Sequence, residues 1–203
     1  MGTFIEHGAS LTDLDEEGWA ALHYCAADGK EAVARLLIEK GADIQVVTGA
    51  GRSPLVVAIE NGQYNMAKYF LDAGADISAT DEYGWTPLHS ATWHGNEGII
   101  RFLLDAGANA SVADKHGFTP LHNIINYDNE AALQLLTDAG ADISKTDNLG
   151  RTALHWAAWC GNKTAVQFLV DKGANLSATD NGGATPLELS WDPLIRLSLI
   201  HAS

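Results

Sequence analysis

One stretch of the sequence decides the fold: Gly84-Trp85-Thr86-Pro87-Leu88-His89. Its Thr-Pro pair is typical of a helix start, because threonine can cap a helix and proline is tolerated in the first turn. The helix predicted from this start ends at Gly95, and a second helix runs through the apolar residues of 99–104. Gly107 ends the second helix, since glycine adopts a positive φ at little cost. The stretch therefore predicts a unit of two helices and a loop rich in turn residues.

The same unit recurs along the chain with a period of 33 residues, which is the signature of a repeat architecture. Its turn glycine occurs at Gly18, Gly51, Gly84, Gly117, Gly150 and Gly183. A leucine follows each of these glycines after four residues, and a second glycine series with the same period begins at Gly41. We therefore predict a single array over residues 1–203. It comprises a partial unit at 1–14, full repeats at 15–47, 48–80, 81–113, 114–146 and 147–179, and a capping unit at 180–203.

These motifs resemble the ankyrin repeat family. The resemblance covers about residues 4–190 and rests on the first stretch together with Gly117-Phe118-Thr119-Pro120-Leu121-His122, Gly150-Arg151-Thr152-Ala153-Leu154-His155 and Leu103-Leu104-Asp105-Ala106-Gly107-Ala108-Asn109. It implies an all-α solenoid of stacked helix-turn-helix repeats with projecting β-hairpin or loop fingers. In such a fold, the finger tips and the first helices form a concave face.

Three places depart from the regular pattern. The second repeat has Thr48 where the other repeats begin with Asp, so we expect a weaker hydrogen-bond network in its loop. The fourth repeat has Asp128 at the inter-helix glycine position and bulky residues at 123–125, so we expect it to be the irregular repeat. Pro193 interrupts the last unit. The apolar residues after it either fold back as a capping helix or meet further sequence.

The composition is acidic, with 12 Lys and Arg against 26 Asp and Glu and a formal charge of -14. Such a chain repels phosphate backbones and anionic lipids, so we expect neither a nucleic acid nor a membrane as partner. The surplus serves either solubility alone or attraction of a basic partner. Two cysteines, Cys25 and Cys160, are too few for a disulfide framework. Without a visible signal peptide or membrane helix, we expect an intracellular protein, cytoplasmic or nuclear or both.

Four histidines occupy the same repeat position: His23, His89, His122 and His155. The resemblance implies that this histidine holds the loop backbone by hydrogen bonds. Neighbouring copies would lie ~10 Å apart, which is too far to share one zinc ion. A catalytic pair among His94, Tyr127 and Cys160 meets the same distance limit and matches no catalytic motif. We therefore expect no enzyme activity, no metal and no cofactor.

The resemblance implies that finger tips and the last residues of the first helices contact partners. In repeats 3–5 these positions are rich in aromatic residues, which binding hot spots favour. Trp93 and Trp159 are the strongest candidates, whereas Trp156, deeper in its helix, is interpreted as core. Trp85 and Phe118 could instead pack on neighbouring fingers. The predicted partner-binding residues are Tyr83, Trp85, Trp93, His94, His116, Phe118, Tyr127, Arg151 and Trp159.

The leading hypothesis is a protein–protein interaction scaffold that binds its partner through the aromatic-rich concave face of repeats 3–5. Acidic residues in the first two repeats suggest a partner segment with an apolar centre and a basic end; they are Glu16, Glu17, Asp28 and Glu60. Two alternatives stay open: a small-molecule site in the same cleft, or an enzyme that uses its aromatic and histidine residues. A closed cavity would favour these alternatives, and a shallow groove the protein partner. We expect a monomeric array or a fragment of a larger protein.

Overall fold

The computed structural model describes residues 13–202, so nearly all of the partial unit predicted at 1–14 lies outside the described residues. Within residues 13–202 the regular structure is helical, apart from one isolated antiparallel bridge between Thr146 and Thr152. This all-α architecture confirms the predicted fold class. The helices are α1 (Ala21–Asp28), α2 (Glu31–Glu39), α3 (Pro54–Glu60), α4 (Tyr64–Asp72), α5 (Pro87–Trp93), α6 (Glu97–Asp105), α7 (Pro120–Ile124), α8 (Glu130–Asp138), α9 (Ala153–Cys160), α10 (Lys163–Asp171), α11 (Pro186–Leu189) and α12 (Pro193–Ala202).

The described chain divides into two compact units between Ala91 and Thr92. In the first unit, α1 packs against α2 and α3, and α3 packs against α4. In the second unit, α6 packs against α8, α8 against α10, and α9 against α10 and α11. Odd-numbered helices are the first helices of their repeats and even-numbered helices the second. Each unit is therefore built from helix pairs that pack on the next pair along the chain.

The leucine that follows each turn glycine is a core residue in all five full repeats. Leu22, Leu55, Leu88, Leu121 and Leu154 are each at most 1% exposed. Burying one such side chain stabilises the fold by about 1.5–3 kcal/mol. The second helices contribute the other large core residues, which include Phe70, Ile99, Ile100 and Leu103. The 33-residue pattern is thus the pattern of the core.

A carboxylate at the start of each finger holds its turn closed. Oδ1 of Asp81 accepts hydrogen bonds from the backbone N–H groups of Tyr83 and Trp85, both at 2.8 Å. The equivalent aspartates of four other fingers accept the same two bonds; these are Asp15, Asp114, Asp147 and Asp180. In the second repeat, the Thr48 hydroxyl accepts a single bond from the described residues, from Arg52 N at 3.2 Å. The prediction of a weaker loop network in this repeat is confirmed.

Backbone hydrogen bonds join neighbouring fingers within each unit. Gly49 N donates to Glu17 O at 3.2 Å in the first unit, and Asn148 N donates to His116 O at 2.9 Å in the second. The fingers approach so closely that a Cβ added to Gly117 would lie 2.7 Å from Asn148 N. Gly117 also has a φ of +82°, so the turn requires glycine for both reasons.

The repeated histidine links its own helix start to the next finger, as the resemblance implied. In the fifth repeat, Thr152 N donates to Nδ1 of His155 at 3.1 Å. Because Nδ1 accepts, Nε2 carries the proton and donates to Ala184 O, 3.2 Å away. His23 bonds Ala20 N and the carbonyls of Val46 and Arg52 in the same way. Burial lowers the pKa of both His23 and His155, so both rings are neutral at pH 7.

The fourth repeat is irregular, as predicted; the bulky residues lie where its first helix ends early, whereas the expected conformation of Asp128 is not found. Its first helix, α7, ends at Ile124, three residues before the position equivalent to the end of α9. The bulky side chains of Asn123, Ile124 and Ile125 are all buried, and a turn follows them. Among the described residues, positive φ occurs at glycines alone, so Asp128 does not adopt the left-handed conformation expected of its position. The early helix end removes the need for it.

The segment after Pro193 folds back as helix α12 and packs against α10 and α11. Ile195 and Leu199 face this contact and are 1% and 2% exposed. Arg196 fixes the preceding turn, because its guanidinium donates to the carbonyls of Leu187 and Ser190 at 3.1 and 3.0 Å. Of the two alternatives from the sequence, the structure shows the folded-back helix.

Candidate functional site

The predicted partner-binding residues lie at the surface rather than in the core. Trp93 and Trp159 are 44% and 50% exposed, although tryptophan is among the largest apolar side chains. Phe118 and Arg151 in the second unit and Trp85 in the first unit are half-buried. Trp85 packs on His89 with its ring centroid 6.4 Å away. The remaining predicted residues are exposed; they are Tyr83, His94, His116 and Tyr127.

Trp156 was interpreted as a core residue, and this interpretation is wrong. The side chain is half-buried and joins the rings of Phe118 and Trp159, at centroid distances of 5.1 and 5.2 Å. Trp159 meets Trp156 edge to face at 88°, a favourable aromatic geometry. The Arg151 guanidinium lies 5.4 Å from the Trp156 ring centroid, within cation–π range. We name Phe118, Arg151, Trp156 and Trp159 the aromatic cluster.

Asp147 fixes the aromatic cluster in place. Its Oδ1 holds the finger backbone, and its Oδ2 accepts a hydrogen bond from Trp156 Nε1 at 2.9 Å. Arg151 is held from the other side by Asp180, with Nε and Oδ2 3.5 Å apart. Side chains that are fixed before a partner arrives lose little rotamer freedom on binding. Hydrogen bonds and an ion pair therefore hold the side chains of the cluster in fixed positions.

Two further aromatic residues share one arrangement at the ends of first helices. The Tyr127 hydroxyl donates to the Trp93 carbonyl, and a Cβ on Gly95 would lie 3.5 Å from its ring. Trp191 Nε1 donates to the Trp159 carbonyl at 2.8 Å, and a Cβ on Gly161 would lie 3.0 Å from its ring. Each ring thus packs over the glycine of the preceding repeat. We name the set Trp93, Tyr127, Trp159 and Trp191 the aromatic row.

Family models establish what this repeat is. The model of three ankyrin repeat copies matches residues 46–114 and 106–180, and the single ankyrin repeat model matches residues 17–49. The chain belongs to the ankyrin repeat family. Ankyrin repeats are generally protein–protein interaction modules, and no specific partner follows from membership alone.

Two solved ankyrin repeat domains are similar to the whole chain. The crystal structure of the human ASB11 ankyrin repeat domain is 26% identical with a TM-score of 0.87, covering 100% of this chain and 91% of that one. The ankyrin repeat domain of Bcl-3, described as a unique member of the IkappaB protein family, is 26% identical with a TM-score of 0.86. That match covers 98% of this chain and 90% of the Bcl-3 chain. The comparison with curated proteins gives no match.

The sequence analysis does not predict that Trp156 belongs to the aromatic cluster or that Trp191 belongs to the aromatic row. One signal for Trp191 was available, because it follows Trp159 by 32 residues, almost one repeat. Its side chain is 70% exposed. Tyr127 is among the predicted residues, but its hydroxyl already donates to the Trp93 carbonyl, so the ring rather than the hydroxyl is open to a new contact. The ring is 38% exposed.

The acidic residues of the first two repeats differ in how they are paired. Glu16, Glu17 and Asp28 are exposed and form no ion pair with any described residue. Glu60 is only 19% exposed at its side chain and is bonded to Arg52, with Oε2 and Nη1 3.3 Å apart. Of these four carboxylates, the three in the first repeat are therefore the ones without an ion pair among the described residues.

Cys160, which was considered as a catalytic residue, lies in a site that does not favour a reactive thiolate. The Cys160 thiol lies 3.7 Å from Asn126 Oδ1, and burial raises its pKa, which makes it a poorer nucleophile. Within residues 13–202, no group of three or more His, Cys, Asp or Glu side chains is arranged to hold a metal ion. None of the helices in the same residues has the length and apolarity of a membrane span. A pocket of about 370 Å³ lies apart from the aromatic row, against α10 and α12; it is lined by Gln167, Val170, Asp171, Ser198, His201 and Ala202.

Proposed function

We propose that this chain forms a single ankyrin array that binds another protein through the aromatic-rich concave face of repeats 3–5. The observation that carries the proposal is the exposure of Trp93 and Trp159 by 44% and 50%, at equivalent ends of first helices. Exposed clusters of large aromatic side chains on a protein surface mark interaction sites. The binding set is Tyr83, Trp85, Trp93, His94, His116, Phe118, Tyr127, Arg151 and Trp159.

The polar framework around these rings supports the same proposal. Asp147 and Asp180 hold Trp156 and Arg151, so the surface needs no rearrangement to receive a partner. Fixed aromatic side chains with a charged neighbour are the composition of a binding hot spot. Trp93 and Trp159 are the two side chains that we expect to contribute most, about 2 kcal/mol or more each when truncated to alanine.

A pull-down with purified bait tests the proposal. The bait variant is the double mutant Trp93→Ala, Trp159→Ala, which removes both rings but keeps the backbone carbonyls that Tyr127 and Trp191 bind. The matched control is Tyr64→Ala, which removes an aromatic side chain that is 42% exposed in the first unit. We expect the double mutant to lose the partners that wild type and the control retain. Equal capture by all three baits would refute the proposed surface.

We further propose that the partner segment has an apolar centre and a basic end. The basic end is proposed to meet the exposed carboxylates Glu16, Glu17 and Asp28. Attraction between exposed charges is screened by salt, so added salt should weaken binding of wild type. The variant Glu16→Gln, Glu17→Gln should bind more weakly at low salt and show a shallower salt dependence. Affinity that is insensitive to salt in both proteins would exclude the basic end and leave the aromatic surface untouched.

A further inference from the structure

We propose that the rings of Trp19 and Tyr24 in the first repeat, together with the carboxylates of Glu17 and Asp28, bind one arginine side chain of the protein partner. We name these four residues the guanidinium site. All four belong to the first unit of the chain, whereas the aromatic cluster and the aromatic row belong to the second. The inference rests on the proposed function, because it names the group that the basic end of the partner presents.

The two rings of the site lie against each other, and one of them is open to solvent. Their centroids are 5.1 Å apart, with the planes tilted by 49°. The Trp19 side chain is half-buried, and the Tyr24 side chain is 53% exposed. An exposed aromatic ring has a negative face that attracts a cation. The ring pair therefore offers a stacking surface to a flat, positively charged group.

Asp15 ties the Tyr24 ring to the finger that carries the other members of the site. Its Oδ2 accepts a hydrogen bond from the Tyr24 hydroxyl. Its Oδ1 accepts from the backbone N–H groups of Glu17 and Trp19, at 3.1 and 2.7 Å. One carboxylate thus holds the ring and the finger in a fixed relation, so that little rotamer freedom is lost when a ligand binds.

The fifth repeat shows what the same frame holds where the chain supplies a cation. By the 33-residue period, Asp147 and Trp156 are equivalent to the aspartate and the tyrosine just described. They are joined in the same way, by a hydrogen bond from the ring to the carboxylate. The Arg151 guanidinium lies 5.4 Å from the Trp156 ring centroid. The first repeat has Trp19 at the position of Arg151, so its frame has a second ring in place of the cation.

Another ring of the first unit also carries an arginine. The Arg35 guanidinium lies 4.2 Å from the Tyr69 ring centroid, and its Nη2 is 2.6 Å from Glu31 Oε1. A ring face together with a carboxylate thus holds a guanidinium here as in the fifth repeat. In contrast, no Lys or Arg of the described residues lies over the ring of Trp19 or Tyr24. The cation for these two rings therefore has to come from a partner.

The charge around the two rings is negative. Glu17 and Asp28 are exposed and form no ion pair with any described residue. Asp28 lies one turn after Tyr24 on the same face of α1, a spacing that places Cβ atoms about 5–6 Å apart. The pKa of Tyr24 is raised, chiefly by its hydrogen bond to Asp15 and further by the negative charge of Glu17. No Lys or Arg precedes Lys30 in the sequence.

A guanidinium matches this combination of groups better than an ammonium does. It is planar, so one face can stack on a ring while the N–H groups at its edge reach carboxylates on both sides. An ammonium is a compact and more strongly hydrated charge, so it loses more hydration on reaching the ring. We therefore assign the site to arginine rather than to lysine.

An NMR titration of the full chain with three small probes tests the proposal. The probes are the N-acetyl, N-methylamide derivatives of arginine, lysine and citrulline, of which citrulline has the shape of arginine without its charge. The signal is the indole N–H of Trp19, assigned with the variant Trp19→Phe. We expect saturable binding of the arginine probe in the millimolar range, at least about threefold weaker binding of the lysine probe, and none of the citrulline probe.

Two results of this titration would overturn the site: no saturable shift with the arginine probe, or an equal response to the citrulline probe. Equal affinity for the lysine probe would overturn the assignment to a guanidinium.

Matched variants locate the arginine probe on the site. Tyr24→Leu should weaken its binding at least about fivefold, whereas Tyr64→Leu, which removes another exposed ring of the first unit, should not weaken it. Asp28→Asn should weaken binding about threefold, and Glu39→Gln, which removes the same charge from the last residue of α2, should have little effect. Circular dichroism and thermal unfolding check that each variant folds. If Tyr24→Leu and Asp28→Asn both bind the probe like wild type, the assigned site is wrong.

The pull-down described above separates this inference from the proposed function. If the double mutant Trp93→Ala, Trp159→Ala loses its protein partners while wild type does not bind the arginine probe, the aromatic surface stands and the guanidinium site is wrong. If the double mutant retains its partners while the probe binds wild type but not Tyr24→Leu, the guanidinium site stands and the proposed surface in repeats 3–5 is wrong.

Discussion

The finger of the second repeat and the finger of the fifth show how differently one repeat position can be stabilised. Thr48 accepts one hydrogen bond from the described residues, from Arg52 N, whereas Asp147 accepts three, from Leu149 N, Arg151 N and Trp156 Nε1. The core leucines of the two repeats, Leu55 and Leu154, are equally buried, at 0% and 1%. The two repeats therefore share their apolar core and differ in their polar network.

The helix starts of the two repeats differ in the same way. The fifth repeat has His155, which bonds its own helix start and the carbonyl of Ala184 in the next finger. The second repeat has Val56 at this position, buried at 3% exposure and without polar atoms on its side chain. Its helix is capped instead by Ser53, whose hydroxyl accepts from Val56 N at 3.4 Å. A buried valine can therefore fill the place of the histidine side chain in the core, but it cannot make the hydrogen bond to the next finger.

The two repeats should differ most in how much stability is lost when the side chain that closes the finger is removed. Asp147→Ala leaves three buried or half-buried N–H donors without their acceptor, and each such loss costs about 1–3 kcal/mol. We expect a total loss of about 3 kcal/mol or more in the free energy of unfolding, measured by urea titration with circular dichroism. Thr48→Ala is the matched control and should lose about 1 kcal/mol, because one hydroxyl bond is removed. Equal losses for the two variants would show that the networks do not differ in strength.

A smaller effect is expected from His155→Val, which copies the residue of the second repeat into the fifth. The substitution removes the two hydrogen bonds that Nδ1 accepts from Thr152 and the one that Nε2 donates to Ala184 O, but keeps an apolar side chain in the position. We expect a loss of about 1–2 kcal/mol in the free energy of unfolding at pH 7.5. Hydrogen exchange of the Ala184 finger should increase at the same time, because its link to the preceding helix is broken. Unchanged exchange in this finger would contradict the linking role of His155.

The main features of the fold could be predicted from the sequence because they repeat. The buried leucines, the helix pairs and the weak finger at Thr48 all follow from the 33-residue register. A register assigns equivalent positions to equivalent places, and the apolar core depends on little else. The early end of α7 at Ile124 was beyond this reasoning, because it depends on how bulky side chains fit together locally.

The candidate site could be predicted only in part. Trp93 and Trp159 were found because they stand at helix ends, where the register implies exposure. Trp156 was placed in the core because its position on the helix is deeper, but its indole N–H is drawn to Asp147, nine residues earlier. The hydrogen bond to Asp147 holds the half-buried indole at the surface instead of in the core. A side-chain hydrogen bond of this kind occurs in one repeat, so the 33-residue period could not predict it.

The pH dependence of stability should distinguish the histidine-bearing repeats from the second repeat. Burial lowers the pKa of His23 and His155 below the ordinary value of 6.5, so the unfolded chain binds more protons than the folded chain as the pH falls below 6.5. The stability that these two neutral histidines contribute is therefore fully present above about pH 6.5. It is lost as the pH falls from there towards the lowered pKa values. We expect the free energy of unfolding to decrease between pH 7.5 and 5.5, with a smaller decrease in His155→Val.

This histidine effect is separable from that of the finger carboxylates. Hydrogen bonds lower the pKa of Asp15, chiefly from Tyr24, and of Asp180, chiefly from Ala184 N, below the ordinary value of 3.8. Their contribution is present above about pH 3.8 and is lost only as the pH falls below it. Urea titrations between pH 7.5 and 5.5 therefore report on the histidines. An identical slope in wild type and His155→Val over this range would exclude His155 as a source.

The smallest expected effect is a gain, from installing the missing carboxylate in the second repeat. Thr48 is 6% exposed and Asp147 is 5% exposed, so an aspartate at position 48 would have similar surroundings. Thr48→Asp keeps the bond from Arg52 N and adds an acceptor for Ala50 N, as Asp147 has for Leu149 N. We expect the free energy of unfolding to rise by about 0.5–1 kcal/mol at pH 7.5. The gain should vanish below about pH 4, where the carboxylate is protonated, and a loss of stability at pH 7.5 would mean that the second finger is shaped for a hydroxyl rather than lacking a carboxylate.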